Sequence, residues 1–378
     1  MFNILGIPSQ IDSLLIDFQQ FFNDYQWLHF RSLLLSLIIT PYRQTLSGMS
    51  KVLSFGAHRS KHNEFLIDCT PLLNKALRFY AMLLLHKLYK PGSPVTCIID
   101  DTSNKKRGKQ IEAAFKFFDH ITKQYIVGQQ LVCMVISYRG FTIPYAIEIY
   151  QPKDKKSNKP VRKKTHIAAE MLETFSPEES QKVFVVADTF YACTEIIQIC
   201  RKRKYVFVSA LKTNRVVTID GKRQSIDAFI RRTYRKAKNK KRITLASGTY
   251  EVLCRNGSLK SGGAVKLVCT RNLSHSTVKV LFATDPALPY ETIVAIYQLR
   301  WSIEVFFKEA KQHLGLKTNQ HRRLEANSSA ITLSLIAYNL MIHVFINEQR
   351  EKGSNITARV AKSFNVQTAQ TNLSLIHI

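Results

Sequence analysis

The chain has 378 residues, of which 45% are hydrophobic, enough for a sizeable core and more than one domain. Its 55 Lys and Arg outnumber 27 Asp and Glu, which gives a formal net charge of +28. Such a surplus on a folded chain indicates a polyanionic partner, most often nucleic acid. The most apolar runs, 33–40 and 79–89, are too short to span a bilayer, so they predict core helices and no membrane partner.

Cysteine usage excludes two further classes of protein. The seven cysteines are odd in number and scattered, none forms a CxxC pair, and the histidines do not cluster with them. This argues against a zinc ribbon or a disulfide framework and indicates a reducing cytoplasm, with the thiols acting as small buried hydrophobes. The first residues, MFNILGIPSQIDS, lack a basic n-region and a cleavage site, so we expect no secretion and a cytoplasmic location.

In chain order, residues 1–92 have a helical pattern and are expected to form an N-terminal DNA-binding region. Residues 93–211 alternate between strand and helix patterns, with strands at 95–100, 131–140, 141–150, 183–188 and 205–211 and helices at 166–175 and 195–202. The second and third strands predict a hairpin about Arg139-Gly140. This order predicts an α/β fold in which a mixed sheet has helices on both faces.

The rest of the chain divides by its pattern. Residues 212–290 are alternating, basic and punctuated by glycine, which predicts a β-rich insertion before a helical segment at 291–325. Residues 326–372 are expected to be a helical C-terminal region that is truncated. LSLIHI (373–378) matches a translation of CTG TCT CTT ATA CAC ATC, a mosaic-end sequencing adapter, so we expect it to be adapter-derived rather than an ordinary apolar terminus.

Two of the predicted strands end in acid. VTCIID (95–100) and VFVVAD (183–188) are too hydrophobic to alternate, as is typical of central strands buried on both faces. Each places an aspartate, Asp100 or Asp188, at its carboxyl end, where α/β sheets hold their sites. A single such residue can also be a helix N-cap, and Asp188 before TFYACTEI fits that role.

A third carboxylate lies in YQLRWSIEVFFKEAKQHLGL, residues 297–316. Steps of three, four, four and three separate Tyr297, Arg300, Glu304, Lys308 and Lys311. In one regular helix these side chains share an arc of roughly 80°. The opposite side is apolar and predicts a packed face: Ile296, Leu299, Ile303, Phe306, Ala310 and Leu314. The simplest interpretation is a solvated face, in which Arg300 and Lys308 flank Glu304 at i±4.

The three carboxylates together suggest a metal site. Three carboxylates without histidine or cysteine form the all-oxygen environment that Mg²⁺ or Mn²⁺ prefers. Two such ions activate a water on one side of a phosphodiester and stabilise the leaving oxygen on the other. The neighbouring bases would then hold phosphates near the ions.

A family resemblance rests on the same residues. Two, three and six residues separate Tyr297, Arg300, Glu304 and Lys311 in turn. This spacing matches the Y-R-E-K signature of bacterial insertion-sequence DDE transposases. IIDDTSNKKRGK (98–109) resembles the first-aspartate block of that family, and VVADTFYA (185–192) resembles the second. LGL (314–316) with Gln320 and Arg322 is similar as well, so the resemblance covers roughly residues 95–325.

The resemblance implies a ribonuclease H-like core with two Mg²⁺ ions, for which Mn²⁺ substitutes. Asp100, rather than its neighbour Asp101, would join Asp188 and Glu304 as catalytic metal ligands. Tyr297, Arg300 and Lys311 would hold transposon-end DNA, with Lys308 beside them and Trp301 either stacking a displaced base or packing at the edge of the core.

The activity implied is that of a transposase acting on double-stranded DNA, both transposon ends and target, as a homodimer on DNA. It would bind inverted repeats, cleave with metal-activated water and join the 3′-hydroxyl ends to the target. Two alternatives are a nuclease of the same fold without strand transfer and an inactive DNA-binding relic of a transposon.

Two basic runs extend the expected DNA surface. KDKKSNKPVRKK (153–164) is typical of a solvated loop that faces DNA. RRTYRKAKNKKR (231–242) interleaves Tyr234 with bases, which indicates phosphate contact.

Overall fold

A computed structural model describes residues 9–52, 58–119, 122–152, 162–178, 181–260, 263–274 and 277–375. The chain divides into two compact units. The first unit comprises Met1–Lys90, Asp101–Lys163 and Glu304–Ile378, and the second comprises Pro91–Asp100 and Lys164–Ile303. Residues 376–378 of the suspected adapter segment and residues 153–161 of the first basic run lie outside the described residues.

The α-helices of the described residues are short except in the first unit. They are α1 (Ser9–Leu15), α2 (Asp24–Ile39), α3 (Leu46–Met49), α4 (Arg59–Asp68), α5 (Thr70–Lys87), α6 (Lys164–Thr174), α7 (Thr194–Lys202), α8 (Ile226–Phe229), α9 (Tyr290–Gln298), α10 (Trp301–His313), α11 (Leu324–Glu351), α12 (Ala358–Ala361) and α13 (Val366–Leu375). A 3₁₀ segment (Ile16–Phe21) follows α1, and a π-helical segment (Ile230–Tyr234) follows α8.

The strands alternate with helices only in the middle of the chain. They are β1 (Val95–Lys105), β2 (Phe115–Asp119), β3 (Gln124–Tyr138), β4 (Phe141–Tyr150), β5 (Val183–Ala187), β6 (Val206–Leu211), β7 (Val216–Ile219), β8 (Lys222–Ser225), β9 (Lys241–Leu245), β10 (Gly248–Leu259), β11 (Gly263–Asn272) and β12 (Val278–Ala283).

The core of the first unit is helical. The predicted core runs form buried parts of α2 and α5, and α2 begins with a capping box in which Asn23 and Gln26 exchange side-chain and backbone hydrogen bonds. Helix α11 is long and apolar enough to cross a membrane, but 83% of its most apolar window is buried inside the protein. The core helix of a folded domain has this same character, so the helix carries little weight as a membrane span.

The first unit also contains antiparallel strands. Strands β3 and β4 form the predicted hairpin, whose turn residues Arg139 and Gly140 have φ angles of 49° and 90°. Positive φ at both residues suits the right-handed twist of a tight hairpin. Gly128 of β3 lies so close to β1 that an added Cβ would meet the Asn104 carbonyl oxygen at 2.3 Å, so only glycine fits there.

The second unit is built on a mixed sheet. Strand β5 pairs in parallel with β1 on one side and with β6 on the other. Strand β12 then pairs antiparallel with β6, and the sheet continues through β11, β10, β7 and β8, with β9 on β10. The strands of the predicted β-rich segment therefore extend the sheet that carries β1 and β5. The mixed α/β architecture confirms the predicted fold class.

Buried thiols support this packing. None of the seven cysteines, all of which lie in described segments, forms a disulfide; Cys193 and Cys254 are half-buried, and the others are buried. Burial raises the pKa of the Cys269 thiol to about 12, which keeps it protonated and unreactive. The prediction that the cysteines act as small buried hydrophobes is confirmed for the buried five.

Candidate active site

Asp100 and Asp188 follow the paired portions of two neighbouring parallel strands. The register of β1 and β5 runs from Val95 opposite Val183 to Ile99 opposite Ala187. Asp100 follows Ile99, and Asp188 follows Ala187. Paired strands lie about 4.8 Å apart. The two carboxylates are therefore neighbours at one end of this strand pair.

Strand β1 does not end at Asp100, as the sequence pattern predicted. It continues to Lys105, while β5 stops at Ala187. Asp100 therefore lies within a strand, just beyond the stretch that β5 covers. Residues 102–105, beyond the predicted end of the strand, also belong to β1, because the backbone stays extended.

Asp188 organises the loop after β5. Its Oδ1 accepts hydrogen bonds from the N–H groups of Phe190 at 2.8 Å and Tyr191 at 3.4 Å. Helix α7 begins later, at Thr194, with Cys193 in the N-cap position. The alternative that Asp188 is the N-cap of this helix is wrong, because the intervening residues form a separate turn.

Asp100 is paired with a guanidinium from the same unit. Arg300 Nη1 lies 2.9 Å from Asp100 Oδ2, and the two side chains are only 23% and 15% exposed. At this burial the pair is poorly screened by solvent. Asp100 therefore already faces a positive charge in the protein alone.

Tyr297 lies beside the same charged groups. Its pKa is raised, mainly by burial, and the charges of Asp188 and Asp100 act in the same direction. The charge of Arg300 and its hydrogen bond to Tyr297 oppose this rise. The phenol thus stays protonated at neutral pH and can donate a hydrogen bond.

A cavity of ≈280 Å³ opens beside these residues within the second unit. Asp188, Tyr297 and Arg300 line it together with Lys279 of β12. Sequence reasoning missed Lys279. The alternation in TVKVLFATD was the only signal, since it places the lysine on the face opposite to its buried neighbours.

The segment that carries Tyr297 and Arg300 is not one regular helix, so the prediction of a continuous helix through 297–316 is wrong. Helix α9 ends at Gln298 and α10 begins at Trp301. Between them, the N–H groups of Leu299, Arg300, Ser302 and Ile303 donate to carbonyls three residues earlier. Such 3₁₀ bonds tighten the turn and change the phase of the side chains.

This change of phase has two consequences. Tyr297 and Arg300, three residues apart, are eclipsed on one side of a 3₁₀ turn, which explains their hydrogen bond. Leu299 turns out of the predicted apolar face and is 38% exposed, while the other five predicted residues of that face are buried.

The remaining predicted site residues lie along α10. Glu304 is half-buried in its first turn, Lys308 is exposed, and Trp301 is 64% exposed. This exposure excludes the interpretation of Trp301 as an aromatic packed at the edge of the core of its unit.

Lys311 is directed to β1 within the first unit. Its Nζ donates to Thr102 Oγ1 at 2.6 Å and to the Ser103 carbonyl at 3.0 Å. Burial is the main cause that lowers the pKa of Lys311, to about 8. Lys311 therefore fixes the middle of β1 to α10.

The second basic run differs from its expected form. Tyr234 is buried, and Lys240 Nζ lies 5.2 Å from the centre of its ring. Burial raises the pKa of Tyr234 to about 12. The tyrosine belongs to the core of this region, and phosphate contact by the bases around it stays a prediction.

The donors fit the metal that the sequence predicts. Asp100 and Asp188 offer carboxylate oxygens, the ligands that Mg²⁺ prefers. Arg300 contacts Asp100 Oδ2, so an ion at Asp100 would replace or share that contact. In the part of the chain that the structure describes, no three His, Cys, Asp or Glu side chains are grouped to hold a metal ion. The three-carboxylate site with Glu304 stays a prediction.

Comparison with known proteins bears directly on these residues. Residues 91–340, more than half of the chain, match the family model described as Transposase DDE domain. The chain is also 23% identical over 208 residues to a protein of Microchaete diplosiphon named "Probable transposase for insertion sequence element IS701". That alignment covers 52% of the chain and 51% of the relative, so the chain spans about half of its length.

The residues matched by the family model include Asp100, Asp188, Tyr297, Arg300 and Glu304. The chain belongs to the DDE transposase family.

Proposed function

We propose that the protein is the transposase of an insertion sequence, which binds inverted-repeat ends, cleaves DNA there and joins the freed 3′-hydroxyls to target DNA. The observation that carries this proposal is the juxtaposition of Asp100 and Asp188 at one end of paired parallel strands, with Arg300 and Tyr297 at the adjoining cavity. This arrangement lies within a chain that matches a DDE transposase domain.

Asp100, Asp188 and Glu304 would hold two Mg²⁺ ions, and Mn²⁺ would substitute for them. When bound, the ions supply a nucleophile of lowered pKa and stabilise the leaving oxygen of the phosphodiester. The all-oxygen donor set supports this assignment, since it lacks the softer ligands that zinc and copper prefer.

Arg300 would act on the DNA backbone. In the DNA-free protein its guanidinium neutralises Asp100. A guanidinium binds a phosphate through two parallel hydrogen bonds, so the same group would hold the phosphate next to the scissile bond. Tyr297, whose raised pKa keeps it neutral well above pH 7, would donate a hydrogen bond to a neighbouring phosphate oxygen.

The helix α10 would supply further DNA contacts. Trp301 is exposed and would stack an unpaired base, and exposed Lys308 would bind a phosphate. Lys311 has three N–H groups, two of which bond to β1, and the third would reach a phosphate. Lys279 at the cavity adds a further positive charge.

The chain would work on double-stranded DNA as a homodimer, because two transposon ends must be held at once. Its net charge of +28 supports an association with chromosomal DNA in the bacterial cytoplasm.

A cleavage assay on linear DNA that carries the flanking inverted repeats, with Mg²⁺, tests this proposal. Joined products are expected from a transposase. Cut ends without joining would indicate a nuclease of the same fold, and a shifted band without cutting would indicate an inactive DNA-binding relic. Either of these two results would overturn strand transfer as the function.

A further inference from the structure

A second cavity, of ≈420 Å³, lies within the first unit. It opens between the segment Thr45–Ser47, the start of α4 and the stretch Asn319–His321. Apart from Leu46, the lining residues are polar or basic, and none of them is acidic. This volume lies within the range of small-ligand sites, and the lining favours a ligand that is anionic and rich in acceptors.

An arginine side chain lies on one side of the cavity, and a hydrogen bond restrains it. Arg59 begins α4, and its Nη1 donates to Ser47 Oγ at 2.9 Å. Ser47 thereby restrains the guanidinium beside the cavity. The Ser60 hydroxyl, in hydrogen-bond contact with His58 Nδ1 at 2.9 Å, adds a second polar group on this side. A guanidinium next to hydroxyls is a common arrangement for binding phosphate.

The inner wall carries an unpaired donor. Asn319 is 5% exposed, and its Oδ1 accepts a hydrogen bond from Lys106 Nζ at 2.9 Å. Because an ammonium only donates, this bond fixes the orientation of the amide. The Asn319 Nδ2 group then faces away from Lys106, and it is buried without a hydrogen-bond partner in the described residues. A buried N–H group without a protein partner needs an acceptor, which an ordered water or a ligand in the cavity supplies.

A buried charge lies behind this wall. Lys106 is 3% exposed, and its Nζ donates to the Asn319 carbonyl, to Asn319 Oδ1 and to Asn327 Oδ1, all of them neutral oxygens. Among the ion pairs of the described residues, none joins Lys106 to a carboxylate. An uncompensated positive charge at this depth attracts an anion to the adjoining cavity.

His321, two residues from Asn319, lines the same cavity and offers an acceptor. His321 Nδ1 lies 3.1 Å from Asn63 Oδ1, which assigns the proton to Nδ1 and leaves Nε2 as an acceptor. Burial and the charge of Lys106 lower the pKa of His321 to about 4, so the ring is neutral at pH 7. A nucleobase edge presents both an acceptor for a donor such as the Asn319 amide and a donor for an acceptor such as the His321 ring.

We propose that this cavity binds one nucleoside monophosphate unit, with the phosphate at Arg59 and the base edge at Asn319 and His321. The unit is either a free nucleotide or one nucleotide of a DNA strand, and its chemistry is the same in both. The DNA source rests on the proposed function, while the site itself does not. It would give the first unit a nucleotide contact of its own.

Binding is measured by calorimetry on the full chain in EDTA, with inorganic phosphate, the four deoxynucleosides and their 5′-monophosphates as probes. A second arm uses fluorescence anisotropy with end DNA in which single positions are made abasic. Arg59→Gln is expected to weaken binding by about ten-fold or more, since a charge-assisted hydrogen bond is lost. The matched control, Lys61→Gln, removes an exposed cation of the same helix outside the cavity and should cost at most about two-fold.

Asn319→Asp is the sharper variant. It keeps an oxygen for Lys106 and replaces the unpaired donor with an acceptor of negative charge. Binding is expected to be lost, while the thermal midpoint stays equal to that of the wild type or rises. A merely structural role of Asn319 predicts the reverse, a lowered midpoint with unchanged binding, and that result would overturn the site.

The two arms separate the sources of the nucleotide. If free monophosphates bind tightly to the wild type and more weakly to Arg59→Gln, the result supports a nucleotide site. If only DNA binds, one abasic position should lower the DNA affinity of the wild type but not that of Asn319→Asp. That position identifies the nucleotide that enters the cavity. Inorganic phosphate that binds as tightly as the monophosphates would overturn the base contact, and equal loss in Arg59→Gln and Lys61→Gln would overturn the site. Because no metal is present, a failure of DNA cleavage leaves this result unaffected.

Discussion

Arg300 and Asp100 form an ion pair at 2.9 Å, although 200 residues separate them in the sequence. The pair connects Asp100 to the junction between α9 and α10, where Arg300 lies. It shows that the negative charge of Asp100 is balanced by the protein itself before any other cation is bound.

The first prediction concerns a variant that lacks this positive charge. Arg300→Gln should lower the free energy of unfolding by about 1–3 kcal/mol, because a largely buried carboxylate loses its partner. Mg²⁺ should then raise the thermal midpoint of Arg300→Gln more than that of the wild type, since a divalent ion replaces the lost charge at Asp100. Thermal unfolding with and without Mg²⁺ measures both effects.

The control for this variant is Arg322→Gln, which removes an exposed arginine. Its midpoint and its response to Mg²⁺ should match the wild type. If Arg300→Gln responded to Mg²⁺ no more than this control does, Asp100 would not be a metal ligand.

A second prediction concerns the surplus of positive charge. Affinity for DNA of any sequence should fall steeply with salt, because lysine and arginine contacts release counterions. Anisotropy titrations between about 50 and 200 mM salt should give a linear plot of the log of the association constant against log salt, with a negative slope of several units. A flat plot would contradict a surface that follows phosphates.

The third prediction compares two lysines of α10. Lys311→Ala should weaken end binding and also destabilise the protein by about 1–3 kcal/mol, because the Thr102 hydroxyl and the Ser103 carbonyl lose their donor. Lys308→Ala, at an exposed position, should weaken DNA binding without a change in stability. Metal binding, measured by calorimetry, should persist in both variants, because an ammonium cannot ligate Mg²⁺.

The roles assigned to Lys311 would be wrong if Lys311→Ala lost metal and kept its affinity for DNA. Equal stability of the two variants would show that the hydrogen bonds from Lys311 to β1 contribute nothing.

The strands and their hairpin could be predicted because their signals are local and physical. Continuous apolar runs before Asp100 and Asp188 mark strands buried on both faces, and these became the parallel pair β1 and β5. The Arg139-Gly140 turn followed from the flanking alternation in the same way. Each of these features depends on residues within one short segment.

The helix break and the buried lysine could not be predicted, because their causes are not local. Four 3₁₀ hydrogen bonds around Arg300 interrupt a sequence whose apolar period fits one helix, and no glycine or proline marks the place. Lys106 lies among basic neighbours in IIDDTSNKKRGK (98–109), yet it is buried against Asn319 and Asn327, over 200 residues away. Only the fold provides these partners.

The fourth prediction concerns acid. His29 Nδ1 and His62 Nδ1 lie 2.9 Å apart in the first unit, and burial together with the neighbouring ring lowers the pKa of His62 to about 4. The unfolded state, with an ordinary pKa near 6.5, binds more protons between these values. This contribution to stability is therefore complete above pH 6.5 and is lost as the pH falls towards 4.

Urea titrations at pH 7, 6 and 5 measure this effect. The free energy of unfolding should fall by up to about 1.4 kcal/mol per pH unit for each such histidine, and His62→Gln should fall less steeply than the wild type. His86→Gln, which changes an exposed histidine, should keep the slope of the wild type. Identical slopes in all three proteins would show that His62 does not titrate in this range.

The last prediction separates the adjacent acids Asp100 and Asp101. Successive side chains on a strand point to opposite faces, and β1 continues through both residues, so only one of them can face Asp188 and the cavity side of the sheet. The ion pair with Arg300 and the effect on Tyr297 place Asp100 there. Asp100→Asn should therefore lower cleavage and strand transfer by at least about a hundred-fold, more than the loss of a residue that only supports a ligand. End binding should remain, and Asp188→Asn and Glu304→Gln should behave in the same way. Asp101→Asn is the matched control and should retain Mg²⁺-dependent cleavage in the same gel assay. Normal cutting by Asp100→Asn together with an inactive Asp101→Asn would assign the metal to Asp101 and refute the proposed site.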